Sequence, residues 1–170
     1  MRTIIENWKL FLEQERKNIT IFFSGTGPSF KPNTLREKHK QRFQKWEVKN
    51  KSKLVILNPY SKIPEIENVV KIIGFSAGAA MAYHASRKYS NAKLILIDPW
   101  LATWRLKPKD LEEINTGIGN GNIEYYGTSK EINRISKRSG ADNKHALRTA
   151  IPDLKLTNIK HEEYFENYFN

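Results

Sequence analysis

Six short apolar runs set the frame for this chain: Ile19 to Phe23 (ITIFF), Leu54 to Leu57 (LVIL), Val69 to Ile73, Lys93 to Ile97 (KLILI), Ile123 to Tyr126, and Leu154 to Ile159. They are rich in β-branched and aromatic residues, and each of the first five carries at most one polar residue. A strand of that kind has no face to turn toward water, so it belongs in a sheet covered on both sides. Segments with helical spacing lie between the runs. Leu35, His39, Phe43 and Trp46 share one face of a helix predicted from Thr34 to Val48, and alanines follow Gly78. A helix with acids in its first turns starts after Pro108, and another lies within Glu131 to Ile151, interrupted near Ser139-Gly140. Ile4, Ile5, Trp8, Phe11 and Leu12 predict an amphipathic helix at the start. Strands alternating with helices predict an α/β fold with a mainly parallel sheet flanked by helices. The 170 residues suffice for one domain, residues 1–170.

Open parallel sheets bind ligands outside the carboxyl ends of their strands. Four polar points fall at such ends: Gly25-Thr26-Gly27, Ser76, Asp98 and His161. The second of these sits in Gly74-Phe75-Ser76-Ala77-Gly78, where a strand passes into an alanine-rich helix. A serine at such a junction needs a sharp, strained turn, and glycines on either side let helix and strand approach. The turn lifts the Ser76 hydroxyl above the sheet edge. The next N–H, that of Ala77, lies at a helix N-terminus, where negative charge is stabilised.

These residues carry a resemblance. GFSAGAAMAYHAS is similar to the nucleophile turn and following helix of the α/β-hydrolase family, and in detail of its thioesterase branch. LILIDPW resembles the strand end that bears the catalytic aspartate in some of those enzymes, and FFSGTG resembles their oxyanion-loop strand. The resemblance implies a compact α/β-hydrolase-like domain with Ser76 as nucleophile. The family's lid is reduced here to the stretch around Trp100 to Ile118. A serine hydroxyl needs a base, and four histidines compete. His84 lies about two turns along the helix that Ser76 starts, and His39 and His145 fall within helical segments. His161 follows the last predicted strand, in the chain order serine, acid, histidine. The orienting acid is either Asp98 or, one strand later, Glu131, with Asp98 preferred. Ala77 and Thr26 are the expected oxyanion donors, and Trp100, Leu101 and Trp104 form a candidate apolar wall for an acyl chain.

Several chemistries are excluded or disfavoured by residue type. Without cysteine there is no disulfide, thiolate metal site or cysteine nucleophile. SGTGP is not followed by the Gly-Lys-Ser/Thr of a phosphate loop, and no two histidines share metal-ligand spacing, so no cofactor or metal is expected. No apolar stretch approaches the ~18 residues a membrane span needs, and the first residues, with Glu6, Glu13 and Glu15, lack the apolar core of a signal peptide. A cytoplasmic location is the expectation.

The net charge is +11, and between Lys31 and Lys53 stand nine Lys or Arg against two Glu. Such a field favours acidic partners, and an acyl ester or thioester on an acidic acyl carrier protein fits both the charge and the resemblance. Alternatives are a small carboxylesterase or lipase acting on free or membrane lipid, and an inactive hydrolase fold serving as a basic binding module. Nucleic acid is disfavoured, because the aromatics near the basic segment, Phe43 and Trp46, have core spacing.

Overall fold

The computed structural model describes residues 18–101, 105–127 and 161–170, with the backbone alone at 161 and 162. The elements run β1 (Asn18–Phe23), α1 (Pro32–Lys38), α2 (Lys40–Asn50), β2 (Ser52–Leu57), β3 (Val69–Phe75), α3 (Gly78–Lys88), β4 (Lys93–Ile97), α4 (Pro108–Gly119), β5 (Ile123–Tyr126) and α5 (His161–Tyr168). The five strands form one all-parallel sheet in the order β2-β1-β3-β4-β5. The predicted segments Glu131 to Ile151 and Leu154 to Ile159, and the predicted N-terminal helix, lie outside the described residues.

Both faces of the sheet are covered, as the continuous apolar runs demand. Ile21, Phe23, Ile72, Leu94 and Leu96 pack on one side against the alanines of α3 and against Leu111, Ile114 and Ile118 of α4. Phe22, Ile73, Phe75, Ile95 and Ile97 face the other side, where Phe43 and Trp46 of α2 and Tyr164, Phe165 and Phe169 at the C-terminus close over them. Among the described residues no helix is long and apolar enough to cross a membrane.

Two details depart from the sequence-based expectation. The helix predicted from Thr34 to Val48 is two helices that meet at His39, and Leu35 of the first and Phe43 and Trp46 of the second are all buried. The stretch expected to replace a lid also divides. Pro108–Gly119 is an ordinary crossover helix between β4 and β5, capped by Asp110, whose carboxylate accepts the Lys107 N–H at 2.8 Å. Its buried Leu111, Ile114 and Ile118 belong to the core, so no lid can be drawn from it.

The strand order sets where a site can form. From β1 the chain moves outward to β2, then crosses back to the other side for β3, β4 and β5. Connections leaving β1 and β3 diverge to opposite faces, which opens a crevice at the carboxyl ends of those two strands.

Candidate active site

Ser76 stands at that crevice, directly after β3. Its backbone is left-handed, with φ 52°, a conformation that a residue with a side chain adopts at a cost of about 1 kcal/mol or more. Its N–H donates to the carbonyl of Ile97 at 3.1 Å, and its own carbonyl accepts from Ala79 at 3.2 Å and Trp100 at 2.9 Å. The flanking glycines are steric requirements. A Cβ on Gly74 would lie 2.6 Å from the Ala79 Cα and the Ala82 Cβ, and one on Gly78 would lie 2.2 Å from the carbonyl oxygen of Phe23. Helix α3 thus rests on bare backbone of β3 and β1. Ala77 precedes the first residue of α3, so its N–H is among the donors with no partner inside the helix.

Asp98 is the neighbour of Ser76 across the sheet. The register pairs Phe75 with Ile97, so the serine and the aspartate are the next residues on adjacent strands, which run about 4.8 Å apart. Asp98 too has a left-handed backbone, with φ 37°, and its N–H donates to the Tyr126 carbonyl at 2.5 Å. Two strained residues with short polar side chains therefore stand together on one rim. The Asp98 carboxylate is also felt across the interface with α5. Burial first, and then this charge, raise the Tyr164 phenol above its ordinary value.

Helix α5 carries the third candidate. Phe165 packs on Phe75, the residue before Ser76, with ring centroids 5.7 Å apart. Further along, Phe169 packs on Phe22 and Trp46, and Tyr168 on Tyr126. Tyr164 lies within the field of Asp98 at the carboxyl rim, while Tyr168 shares a cavity wall with Lys71 and Lys93 toward the amino ends of β3 and β4, so the helix starts, at residue 161, on the rim side. Position 161 lies one turn before Tyr164 and Phe165 along the helix. The His161 side chain lies outside what is described, as do Glu131 and Trp104. The other described histidines are elsewhere: His84 Nε2 meets the Arg105 carbonyl at 3.0 Å, and His39 packs edge-on against Phe165.

The loop after β1 closes the other side of Ser76. A Cβ on Gly25 would lie 3.3 Å from the Ser76 Cβ and 3.2 Å from the Phe75 ring, so this loop touches the serine. Thr26, one residue on, is exposed at the rim. No family model, curated protein or solved structure matches the chain. What the site can do therefore rests on its own geometry. That geometry is an alcohol, a carboxylate and the start of α5 at one rim, with the loop after β1 against the serine.

On the predicted apolar wall, Trp100 is exposed beside the serine, while Leu101 is 2% exposed and belongs to the core. An aromatic that sequence reasoning missed is Tyr60, after β2. Of the three large apolar side chains that stand exposed among the described residues, Tyr60 and Trp100 flank this rim. A Tyr directly after Asn58-Pro59 at a strand's carboxyl end was the available signal. Among the described residues no group of three metal-ligating side chains forms.

The basic segment covers the outside of α1 and α2. Arg36 donates to the Leu54 carbonyl at 2.8 Å and Arg42 approaches Glu166 at 3.7 Å. Lys38, Lys40, Lys45, Lys49 and Lys53 are exposed, whereas Phe43 and Trp46 are core.

Proposed function

We propose that this protein is a serine hydrolase that cleaves an acyl ester or thioester through an acyl-serine intermediate. The observation that carries this reading is the left-handed Ser76, held between two glycines that only close packing explains, beside a left-handed Asp98. Backbone strain of this kind clusters at active sites, where the surrounding structure over-determines it. A binding module that uses only its basic face gives no reason for it.

In the proposed reaction His161 removes the Ser76 proton as Oγ bonds to the substrate carbonyl carbon, whose π electrons move to oxygen. The N–H of Ala77 and one from the Gly25–Gly27 loop receive that oxyanion. Collapse of the adduct breaks the bond to the leaving alcohol or thiol, which takes the proton from His161. Water, deprotonated by the same imidazole, then releases the acid from Ser76. Asp98 holds the imidazole and stabilises its charged form. The hydrolase-like fold is part of this proposal: nucleophile after the third strand of the described sheet, acid after the fourth, oxyanion loop after the first.

The exposed lysines of α1 and α2 favour an acidic partner that presents the substrate, and the burial of Phe43 and Trp46 leaves no stacking platform for single-stranded nucleic acid there. The reading is tested by labelling with a fluorophosphonate probe and by hydrolysis of a panel of acyl esters and thioesters. Both activities are expected in the native chain and absent from Ser76→Ala. A Ser76→Ala chain that keeps them ends the proposal.

A further inference from the structure

A groove of about 610 Å³ opens beside the proposed nucleophile, between the loop after β1 and the loop after β2. Gly25, which lines it, also lies against Ser76, so the groove begins one residue away from the reacting centre. Its walls are mostly apolar: Pro28, Phe30, Pro59 and Tyr60. They are also held in place. The Phe30 ring packs on Phe75 at 5.2 Å, and the Arg105 guanidinium lies over the Tyr60 ring at 4.8 Å while donating to the Pro59 carbonyl at 2.6 Å. The Tyr60 N–H is fixed by the Asn58 side chain at 2.8 Å. Tyr60 nonetheless stays 64% exposed, an aromatic surface braced from behind and open in front.

One ionised side chain borders the groove, that of Lys31. Among the described residues no carboxylate pairs with it. We propose that this groove takes the acyl chain of the substrate, and that the chain ends in a carboxylate which pairs with Lys31. The inference rests on the acyl-serine reading and names its substrate class. Prolines and aromatic rings suit a hydrocarbon chain, and a polar leaving arm gains little from them. A single lysine, with Arg105 already engaged by Pro59 and Tyr60, matches a monoanion better than a doubly charged phosphate.

The test compares p-nitrophenyl esters of straight-chain monocarboxylic acids with mono-p-nitrophenyl esters of dicarboxylic acids of equal length. The native chain is expected to favour the carboxylate-bearing ester about fivefold in kcat/KM, through KM, as suits an exposed ion pair. Lys31→Ala brings that ratio to about one and Lys31→Glu inverts it. Lys31 precedes α1 but its side chain makes no capping bond, so neither variant removes a helix cap. Tyr60→Ala is expected to raise KM for both esters and to flatten the dependence on chain length. Three results overturn the inference: equal use of the two esters by the native chain, a ratio that survives Lys31→Glu, or a chain-length dependence lost in Trp100→Ala and kept in Tyr60→Ala. Fluorophosphonate labelling separates the two levels. A native chain that is not labelled at Ser76 brings down the acyl-serine reading as well. A labelled chain without a carboxylate preference brings down the groove assignment alone.

Discussion

Replacing Gly25 with alanine separates the stability of the fold from the working of its rim. The new methyl lies 3.2 and 3.3 Å from two carbons of the Phe75 ring and 3.3 Å from the Ser76 Cβ. Carbon atoms prefer 3.5–4.0 Å, so each neighbour must yield by a few tenths of an ångström, at the low end of overpacking, roughly 1 kcal/mol. A domain with ordinary stability of about 5–15 kcal/mol stays folded after such a loss. Hydrolysis is hit harder, because the methyl fills space over the serine and pushes away the loop that supplies an oxyanion N–H. Loss of one such donor lowers kcat by about 10²–10³. Gly78→Ala is the contrast. Its methyl would lie 2.2 Å from the Phe23 oxygen and 2.5 Å from that of Ser24, and backbone cannot step aside as a ring can. About 3 kcal/mol or more of stability is lost there, together with activity. Urea midpoints measure the first quantity, and ester hydrolysis with the rate of fluorophosphonate labelling measures the second. Native-like hydrolysis by Gly25→Ala would refute the placement of this loop over the reacting serine.

Three further outcomes are expected. Asp98→Asn lowers kcat about ten-thousandfold while Glu131→Gln leaves it within about threefold, and the reverse result moves the acid to residue 131. Burial, and then Arg42 and Lys38, against a weaker pull from Glu166, hold the His39 imidazole below its ordinary 6.5. The unfolded chain therefore binds more protons than the folded one as pH falls through 6.5, and the stability contributed by neutral His39 is lost below it. Thermal midpoints at pH 7.5 and 5.5 should differ more in the native chain than in His39→Gln. Turnover of a thioester carried on an acidic protein should fall steeply with ionic strength, while that of a small neutral ester holds steady. Equal salt sensitivity removes α1 and α2 from substrate docking.

The sheet was legible because continuous apolar runs leave a strand few alternatives, and β4 and β5 begin and end where those runs do. Elsewhere the boundaries depended on contacts that a linear pattern does not carry. Strand β3 continues through Gly74 to Phe75, because the glycine is where Ala79 and Ala82 of α3 press on the strand. Strand β2 starts early, at Ser52, whose buried hydroxyl is satisfied by the Thr20 hydroxyl at 2.7 Å. Neighbouring positions for Ser76 and Asp98 followed from two strand ends, and the strained turn at Ser76 from its flanking glycines, but their shared register and the left-handed backbone of Asp98 did not. The groove was hidden for a related reason. Residues 25–31 and 58–60 become neighbours only through the pairing of β1 with β2. Helix α5 was missed although its signal was present, since Tyr164, Phe165, Tyr168 and Phe169 recur at helical spacing.

The three parts of the proposed centre are attached to the fold with unequal firmness. Ser76 and Asp98 belong to one hydrogen-bonded rim: the serine N–H is tied to Ile97, its carbonyl to Trp100, and the aspartate N–H to Tyr126. Two left-handed residues can be kept side by side there because sheet and helix determine both from several directions. The base depends on something else. Residue 161 is placed by α5, and α5 is anchored through rings, with Phe165 meeting Phe22, His39, Phe43 and Phe75 at centroid distances of 5.2 to 6.0 Å. Dispersion and burial hold such a cluster, and neither fixes direction as a hydrogen bond does. The serine–aspartate pair is thus built into the sheet, whereas the residue proposed as base sits on a helix held to the sheet by packing. Weakening the aromatic cluster should therefore slow the proton transfers that need His161 before it disturbs the turn that presents Ser76.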